Sequence, residues 1–215
     1  MSDQGELARM RRSYRTARLE AADVDADPIA QVSRWLADAA AADLREPNAM
    51  VLATVGGDGL PSARTVLLRA IDAEGLVFYT SYRGRKAAEL AANPQAALLF
   101  PWVDLERQVA VRGTVAKVTA AESDAYFASR PRGSQLGAWA SEQSTVVPGR
   151  AAFERRLGEL DSRWHDTAVP RPDDWGGYRV SPVEVELWQG RPDRLHDRLR
   201  YRCNADGWTL ERLSP

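Results

Sequence analysis

The sequence predicts a mainly β protein with peripheral helices, its antiparallel, Greek-key-like strands closed into a barrel or split barrel. Three observations carry that prediction. Strand-like runs rich in β-branched and apolar residues are separated by short turns, as in AMVLATV, GGDG, SARTVLLRAI, DAEG and LVFYTS. Six or seven such runs are spread over the chain. Helical segments interrupt them without the regular strand–helix alternation of a parallel sheet.

Taken in order, residues 1–26 are polar and charged, with Arg9, Arg11, Arg12, Arg15 and Arg18 around Tyr14 and no helical apolar stripe. They read as a mobile arm, leaving residues 27–215 as a single domain. Asp27 then caps a helix whose first residue is Pro28 and whose apolar face is Ile29, Val32, Trp35, Leu36 and Ala39. From Ala49 the three runs quoted above form an antiparallel meander. Residues 84–92 are helical and stop at Asn93-Pro94, before the strand QAALLFPW. A long strand covers residues 107–118. Thr119 and Glu122 have capping-box spacing for a helix through Ser129, which Pro131 closes. A further helix spans residues 150–164. Two strands, residues 178–188 and 194–202, then lead through the Asn204–Gly207 turn into WTLERL.

Composition narrows the function. No apolar run approaches the ~20 residues of a membrane helix, and the amino terminus lacks the features of a secretory signal, so a cytoplasmic protein is expected. Cys203 is the single cysteine, and His165 and His196 are the two histidines, so no metal centre is expected. The net charge of −1 does not suit a polyanion binder, and the arginine-rich arm lacks the aromatic interleaving of a nucleic-acid module. Of 29 cationic side chains only Lys86 and Lys117 are lysines, so an arginine at any one place carries little information.

The stretch VEVELWQGRPDRLHDR is the most informative. If residues 194–198 are extended, a period of two puts Arg194, His196 and Arg198 on one face, with Leu195 and Leu199 toward the core. Two guanidiniums flanking an imidazole suit an anionic or electron-rich ligand; a solvated strand face is the alternative.

Glu186-Leu187-Trp188-Gln189, four residues, then Arg194-Leu195-His196-Asp197-Arg198 resembles the signature of the pyridoxamine 5′-phosphate oxidase family. RTVLLR at residues 64–69, FYTSYRGRK ending at Lys86, LFPW, LERQV, YFASRPRGSQLGAW and the terminal RLSP follow the family's order, from Arg11 to Pro215. The resemblance implies an FMN-binding split barrel that oxidises pyridoxamine and pyridoxine 5′-phosphate to pyridoxal 5′-phosphate. It implies hydride transfer to the flavin, reduction of O₂ to hydrogen peroxide, and a homodimer with FMN at the interface. Arg64, Thr65, Val66, Leu67, Leu68, Arg69, Tyr79, Thr80, Arg85, Lys86, Gln108, Gln143, Ser144, Trp188 and Arg198 would surround FMN.

The chemistry of the residues agrees in part. The cofactor's phosphate needs charge-assisted donors, which Arg64, Arg85 and Lys86 offer. A substrate phosphate needs a second anion site; Tyr126 and Arg130 at i and i+4, then Ser134, converge three donors there, and Arg69 stands where the family has lysine. Arg64 and Arg69 have opposite strand parity and cannot both grip one ligand without a bulge, so Arg64 is assigned to the flavin and Arg69 to the substrate phosphate. Glu46 stands where relatives often have aspartate. Arg194 and His196 would hold the substrate near its reacting carbon, and Arg11 and Tyr14 would close over it. Another split-barrel flavin or deazaflavin oxidoreductase, a haem-handling relative, and a non-catalytic pyridoxal phosphate carrier are the competing readings.

Overall fold

The computed structural model describes Tyr14 and residues 17–215. Arg11 lies outside the described residues, as does most of the expected arm. Nine strands are present rather than six or seven, in the order β2-β1-β5-β6-β7-β4-β3, with β8 on β7 and β9 on β8. The chain forms two compact units. A central unit holds Asn48–Leu98 and Arg112–Pro182; a terminal unit holds Leu99–Val111, Val183–Pro215 and the described residues up to Pro47. Strands β5 (Gln95–Trp102), β6 (Arg107–Lys117) and β7 (Trp175–Gln189) contribute residues to both.

In the central unit, β1 (Ala49–Val55) and β2 (Pro61–Leu67) form the expected hairpin, with Leu52 opposite Arg64 and Thr54 opposite Ser62. The expected meander does not continue. The run SARTVLLRAI breaks after Leu67: the Leu68 N–H donates to Asn48 O at 2.8 Å, and the next N–H, of Arg69, donates to Val77 O at 2.8 Å. The chain thus changes partners between consecutive residues. β3 (Ala70–Asp72) pairs with β4 (Gly75–Ser81), whose other neighbour is β7. Two strand segments stand where one was expected, and this break releases Arg69 from the parity of Arg64.

Four helices belong to this unit. α2 (Arg85–Ala92) follows, in chain order, α1 (Pro28–Ala41) of the terminal unit. α3 (Ala120–Ser129) begins with the predicted capping box: Thr119 Oγ1 accepts from the Glu122 N–H at 3.1 Å, and Glu122 Oε2 accepts from the Thr119 N–H at 2.9 Å. α4 (Arg132–Ala140) was not anticipated, because two glycines in nine residues lower its intrinsic helicity. Tertiary packing forms it: Leu136 is buried with Phe127, Trp164, Trp175 and Leu160 of α5 (Arg150–Arg163).

In the terminal unit, α1 (Pro28–Ala41) is capped by Asp27, whose Oδ1 accepts from the Ile29 N–H at 2.9 Å, and it buries Val32, Trp35 and Ala39. The Arg107 guanidinium lies 4.6 Å over the Trp35 ring and bonds to Asp38 at 2.9 Å. β8 (Asp197–Asn204) and β9 (Gly207–Leu213) form the last hairpin. Leu199 and Tyr201 are fully buried, and the Tyr201 hydroxyl donates to Asp25 O at 2.6 Å. Leu19 is buried, its N–H donating to Asp197 at 3.1 Å, and Ala21–Asp23 form a 3-10 turn. Leu195 does not reach the core: it is 69% exposed.

Candidate active site

The central unit contains a pocket of about 500 Å³ at the place where β2 breaks. Eleven expected residues line it: Thr65, Val66, Leu67 and Arg69 around the break, Tyr79 and Thr80 of β4, Lys86 of α2, Tyr126, Arg130 and Ser134 of the α3–α4 region, and Gln143. One end is organised by Lys86, whose Nζ donates to Gln143 Oε1 at 2.5 Å and to Thr80 Oγ1 at 3.2 Å. A side chain on residue 84 would collide with Gln143 Oε1, so Gly84 is what lets Gln143 settle over the start of α2. Burial, and then the neighbouring Arg64 charge, lower the Lys86 pKa below the ordinary lysine value. An anion placed here would relieve both penalties.

Arg130 organises the other group. Its guanidinium lies 4.6 Å over the Trp175 ring, and Trp175 continues a stack with Tyr79 and Tyr126, whose centroids are 3.9 Å apart. Burial, with the charge of Arg69 acting in the same direction, depresses its pKa. Arg130 Nη1 is buried with no hydrogen-bond partner among the described residues. A buried unsatisfied donor on a cation is costly, and a ligand oxygen removes the cost. Trp175, Ser129 and Pro131 complete the lining and were not foreseen. No motif marks Trp175; the glycines that follow it in DDWGGY serve its neighbours, a Cβ on Gly177 lying 2.8 Å from the Tyr79 ring.

Four expected cofactor residues of the central unit do not line the pocket. Leu68 is buried in the core. Arg64 donates to Glu89 at 2.8 Å, to Thr54 at 2.5 Å and to Leu52 O at 3.3 Å, with a further bond to Ser62. Arg85 Nε donates to Glu89 at 2.7 Å, and its backbone N–H donates to Ser144 Oγ at 3.2 Å. Arg64, Arg85 and Ser144 thus form a polar cluster at the start of α2, beside Lys86.

The terminal unit holds the remaining expected residues. Residues 194–198 are not a regular strand. Pro192–Arg194 is a 3-10 turn in which Asp193 and Arg194 have φ of 56° and 63°, so β8 begins only at Asp197. The period-of-two argument for Arg194, His196 and Arg198 therefore fails: Pro192 and two left-handed residues reset the chain direction first. Arg194 is exposed. The His196 ring lies 4.6 Å from Trp188, and Tyr14 sits edge-on to Trp188 at 5.8 Å and to His196 at 5.7 Å. A Cβ on Gly190 would lie 2.8 Å from the Tyr14 ring, so glycine makes that seat possible. His196 Nδ1 accepts the Arg191 N–H at 3.1 Å, which puts the proton of the neutral imidazole on Nε2.

Arg198 forms a two-pronged pair with Glu186 at 2.8 and 3.0 Å, and these hydrogen bonds raise its pKa. Gln108 is half-buried on β6. Glu46 occupies the left-handed region at φ 54°, a conformation that aspartate or asparagine tolerates better. Among the described residues no cluster of three or more His, Cys, Asp or Glu side chains is arranged to hold a metal ion, and no helix is long and apolar enough to cross a membrane.

Comparison with known proteins adds the following. Residues 36–163 match the family model described as pyridoxamine 5′-phosphate oxidase, and residues 175–215 match the pyridoxine 5′-phosphate oxidase C-terminal dimerisation region. The chain is 58% identical to the pyridoxine/pyridoxamine 5′-phosphate oxidase of Cupriavidus pinatubonensis (strain JMP 134 / LMG 1197), over 98% of this chain and 99% of that one. Among solved structures it is similar to PhzG from Burkholderia lata 383, in complex with tetrahydrophenazine-1-carboxylic acid. The TM-score is 0.88 and the identity 34%, over 94% of this chain and 100% of the other. A pyridoxamine 5′-phosphate oxidase-related, FMN-binding protein from Nostoc punctiforme PCC 73102 has a TM-score of 0.70 at 18% identity, over 88% of this chain and 98% of that one. The fold is the split barrel with peripheral helices that the sequence predicts.

Proposed function

This chain belongs to the pyridoxamine 5′-phosphate oxidase family, and we propose that the central-unit pocket is where it carries out that chemistry. With FMN as cofactor, it oxidises pyridoxamine 5′-phosphate and pyridoxine 5′-phosphate to pyridoxal 5′-phosphate. The observation that carries the site assignment is the set of cations around the pocket without carboxylate partners among the described residues, above all Arg130 with its buried Nη1, which has no partner among them. Two phosphates need two such anchors.

Lys86, held by Gln143 and Thr80, serves the flavin end together with Arg64 and Arg85 at the start of α2. Arg69, Tyr126, Arg130 and Ser134 take the substrate phosphate. When bound, FMN supplies the hydride acceptor and returns the electrons to O₂, giving hydrogen peroxide. The protein's share is orientation and exclusion of water. Arg194 and His196 hold the substrate near its reacting carbon, His196 as an Nε2–H donor, because its Nδ1 is occupied by the Arg191 amide. Tyr14, seated on Trp188 and His196, is the described part of an arm that with Arg11 closes over the substrate. The chain works as a homodimer through its carboxy-terminal region. FMN lies at the subunit interface, so that both subunits, through residues including Trp188, Arg198 and Gln108, complete each site.

Anaerobic addition of pyridoxamine 5′-phosphate to the flavin-loaded protein tests the reading. The visible flavin absorbance should bleach and return on admitting air with release of peroxide; an unchanged spectrum overturns it. Arg194→Leu should lower turnover or raise the Michaelis constant, and a variant altered in neither removes Arg194 from the site.

A further inference from the structure

We infer that Glu89 is a positioning residue for the cofactor's phosphate: its buried carboxylate holds the Arg64 and Arg85 guanidiniums in the orientation in which they receive that group. The inference rests on the FMN reading above and adds to it a residue that contacts neither ligand.

Four side chains from three elements converge on this one carboxylate. Thr54 of β1 donates to Oε2 at 2.5 Å, Ser62 of β2 reaches both oxygens at 2.7 and 2.8 Å, Arg64 of β2 donates to Oε2 at 2.8 Å, and Arg85 of α2 donates to Oε1 at 2.7 Å. The β1–β2 register sets Thr54 opposite Ser62, and a period of two puts Ser62 and Arg64 on one strand face. Glu89 lies one helical turn after Arg85, so its carboxylate meets both. The Glu89 side chain is 7% exposed, yet these bonds hold its pKa down to about 2. It is therefore a carboxylate at neutral pH.

The local charge balance does not explain this arrangement as stabilisation. Among the described residues Glu89 is the one carboxylate ion-paired with Arg64 and Arg85, so together with the adjoining Lys86 the group carries two formal positive charges in excess. Arg85 and Lys86 also open α2, whose first turn carries no acid and whose amino end has no side-chain cap. Cations at a helix amino terminus oppose the helix dipole. A buried ion pair contributes little net stability against its desolvation cost; what it supplies is fixed geometry. A phosphate of charge near −2 cancels the excess and suits a helix amino terminus. Arg64 already lies close enough to Lys86 to lower its pKa, and the Glu89 carboxylate joins Arg64 to Arg85.

The test compares flavins with and without the phosphate. The full chain, stripped of flavin, is titrated with FMN and with riboflavin, following the quenching of flavin fluorescence. Wild type should prefer FMN; equal affinities would mean that the phosphate reading itself fails, whatever Glu89 does. Glu89→Gln keeps shape but loses the acceptor geometry for two guanidiniums, and FMN affinity should fall about tenfold or more while riboflavin affinity holds. Glu89→Asp should recover part of the loss. An FMN affinity that is unchanged or raised, or an equal fall for both flavins, overturns the inference. Should Glu89→Gln not fold, Ser62→Ala removes one donor from the carboxylate and leaves its charge; a smaller, FMN-selective loss supports the proposal, and no selective loss overturns it.

Discussion

The pocket of the central unit and the β7–β8–β9 sheet of the terminal unit treat cationic side chains in opposite ways. In the sheet Arg198 is paired with Glu186, Arg200 with Glu211, and Arg212 with Asp197 and Glu20. Arg191 joins Asp197 at 3.5 Å and donates to Ala17 O at 3.0 Å. Around the pocket Arg69, Lys86 and Arg130 have no carboxylate partner among the described residues, although Lys86 and Arg130 are half-buried. A paired guanidinium fastens chain segments; an unpaired, desolvated one is stable only when a ligand completes it. Removing a paired guanidinium of the sheet such as Arg200 or Arg212 should cost stability, and removing an unpaired one at the pocket should cost binding.

The largest expected effect is at Arg130. Arg130→Met should raise the Michaelis constant for pyridoxamine 5′-phosphate by about a hundredfold, roughly 2.7 kcal/mol for a charge-assisted contact to phosphate. Its folding stability in urea should stay level or rise, because an unsatisfied buried donor is gone. A marked stability loss with an intact Michaelis constant would erase the contrast. Asp197→Ala should do the reverse, destabilising the fold by about 1–2 kcal/mol, since the carboxylate joins Arg191, Arg212 and the Leu19 N–H. A variant as stable as wild type would show that the network adds nothing.

Acid should sharpen the same comparison from inside the central unit. The Glu89 pKa is lowered from 4.5 to about 2, so its folded state binds fewer protons than its unfolded state across that interval. Its contribution is complete above 4.5 and lost as pH falls through the folded value near 2. Melting temperatures measured down this limb should fall less steeply in Glu89→Gln than in wild type; parallel curves would remove Glu89 as the titrating group. The smallest effect belongs to Leu195→Ser, within about 0.5 kcal/mol, because that side chain is exposed rather than in the core. A large loss in chemical denaturation would restore the strand reading of residues 194–198.

Local signals were read well from sequence because they act over a few residues. Asp27 and Thr119 cap the helices they precede, and Asn204–Gly207 joins the last two strands. The pocket was legible chiefly through the family motifs, which name eleven of its lining residues without saying how they meet. The break at Leu68 and Arg69 was not, since no glycine or proline marks it: it follows from competition between Asn48 and Val77 for consecutive N–H groups. α4 was missed because its helicity comes from burial of Leu136, not from propensity. Glu89 and Trp175 carried no motif.

The order of residues alone determined the class of fold, the helix caps, the hairpin turns and the family, all of which depend on periodicity or short spacing. Tertiary structure alone decided which cations meet a carboxylate and which do not. Arg64 and Glu89 are 25 positions apart, and Arg212 and Glu20 are 192 apart. Whether two such charges meet is set by strand order and register, and those emerge only when the whole sheet packs.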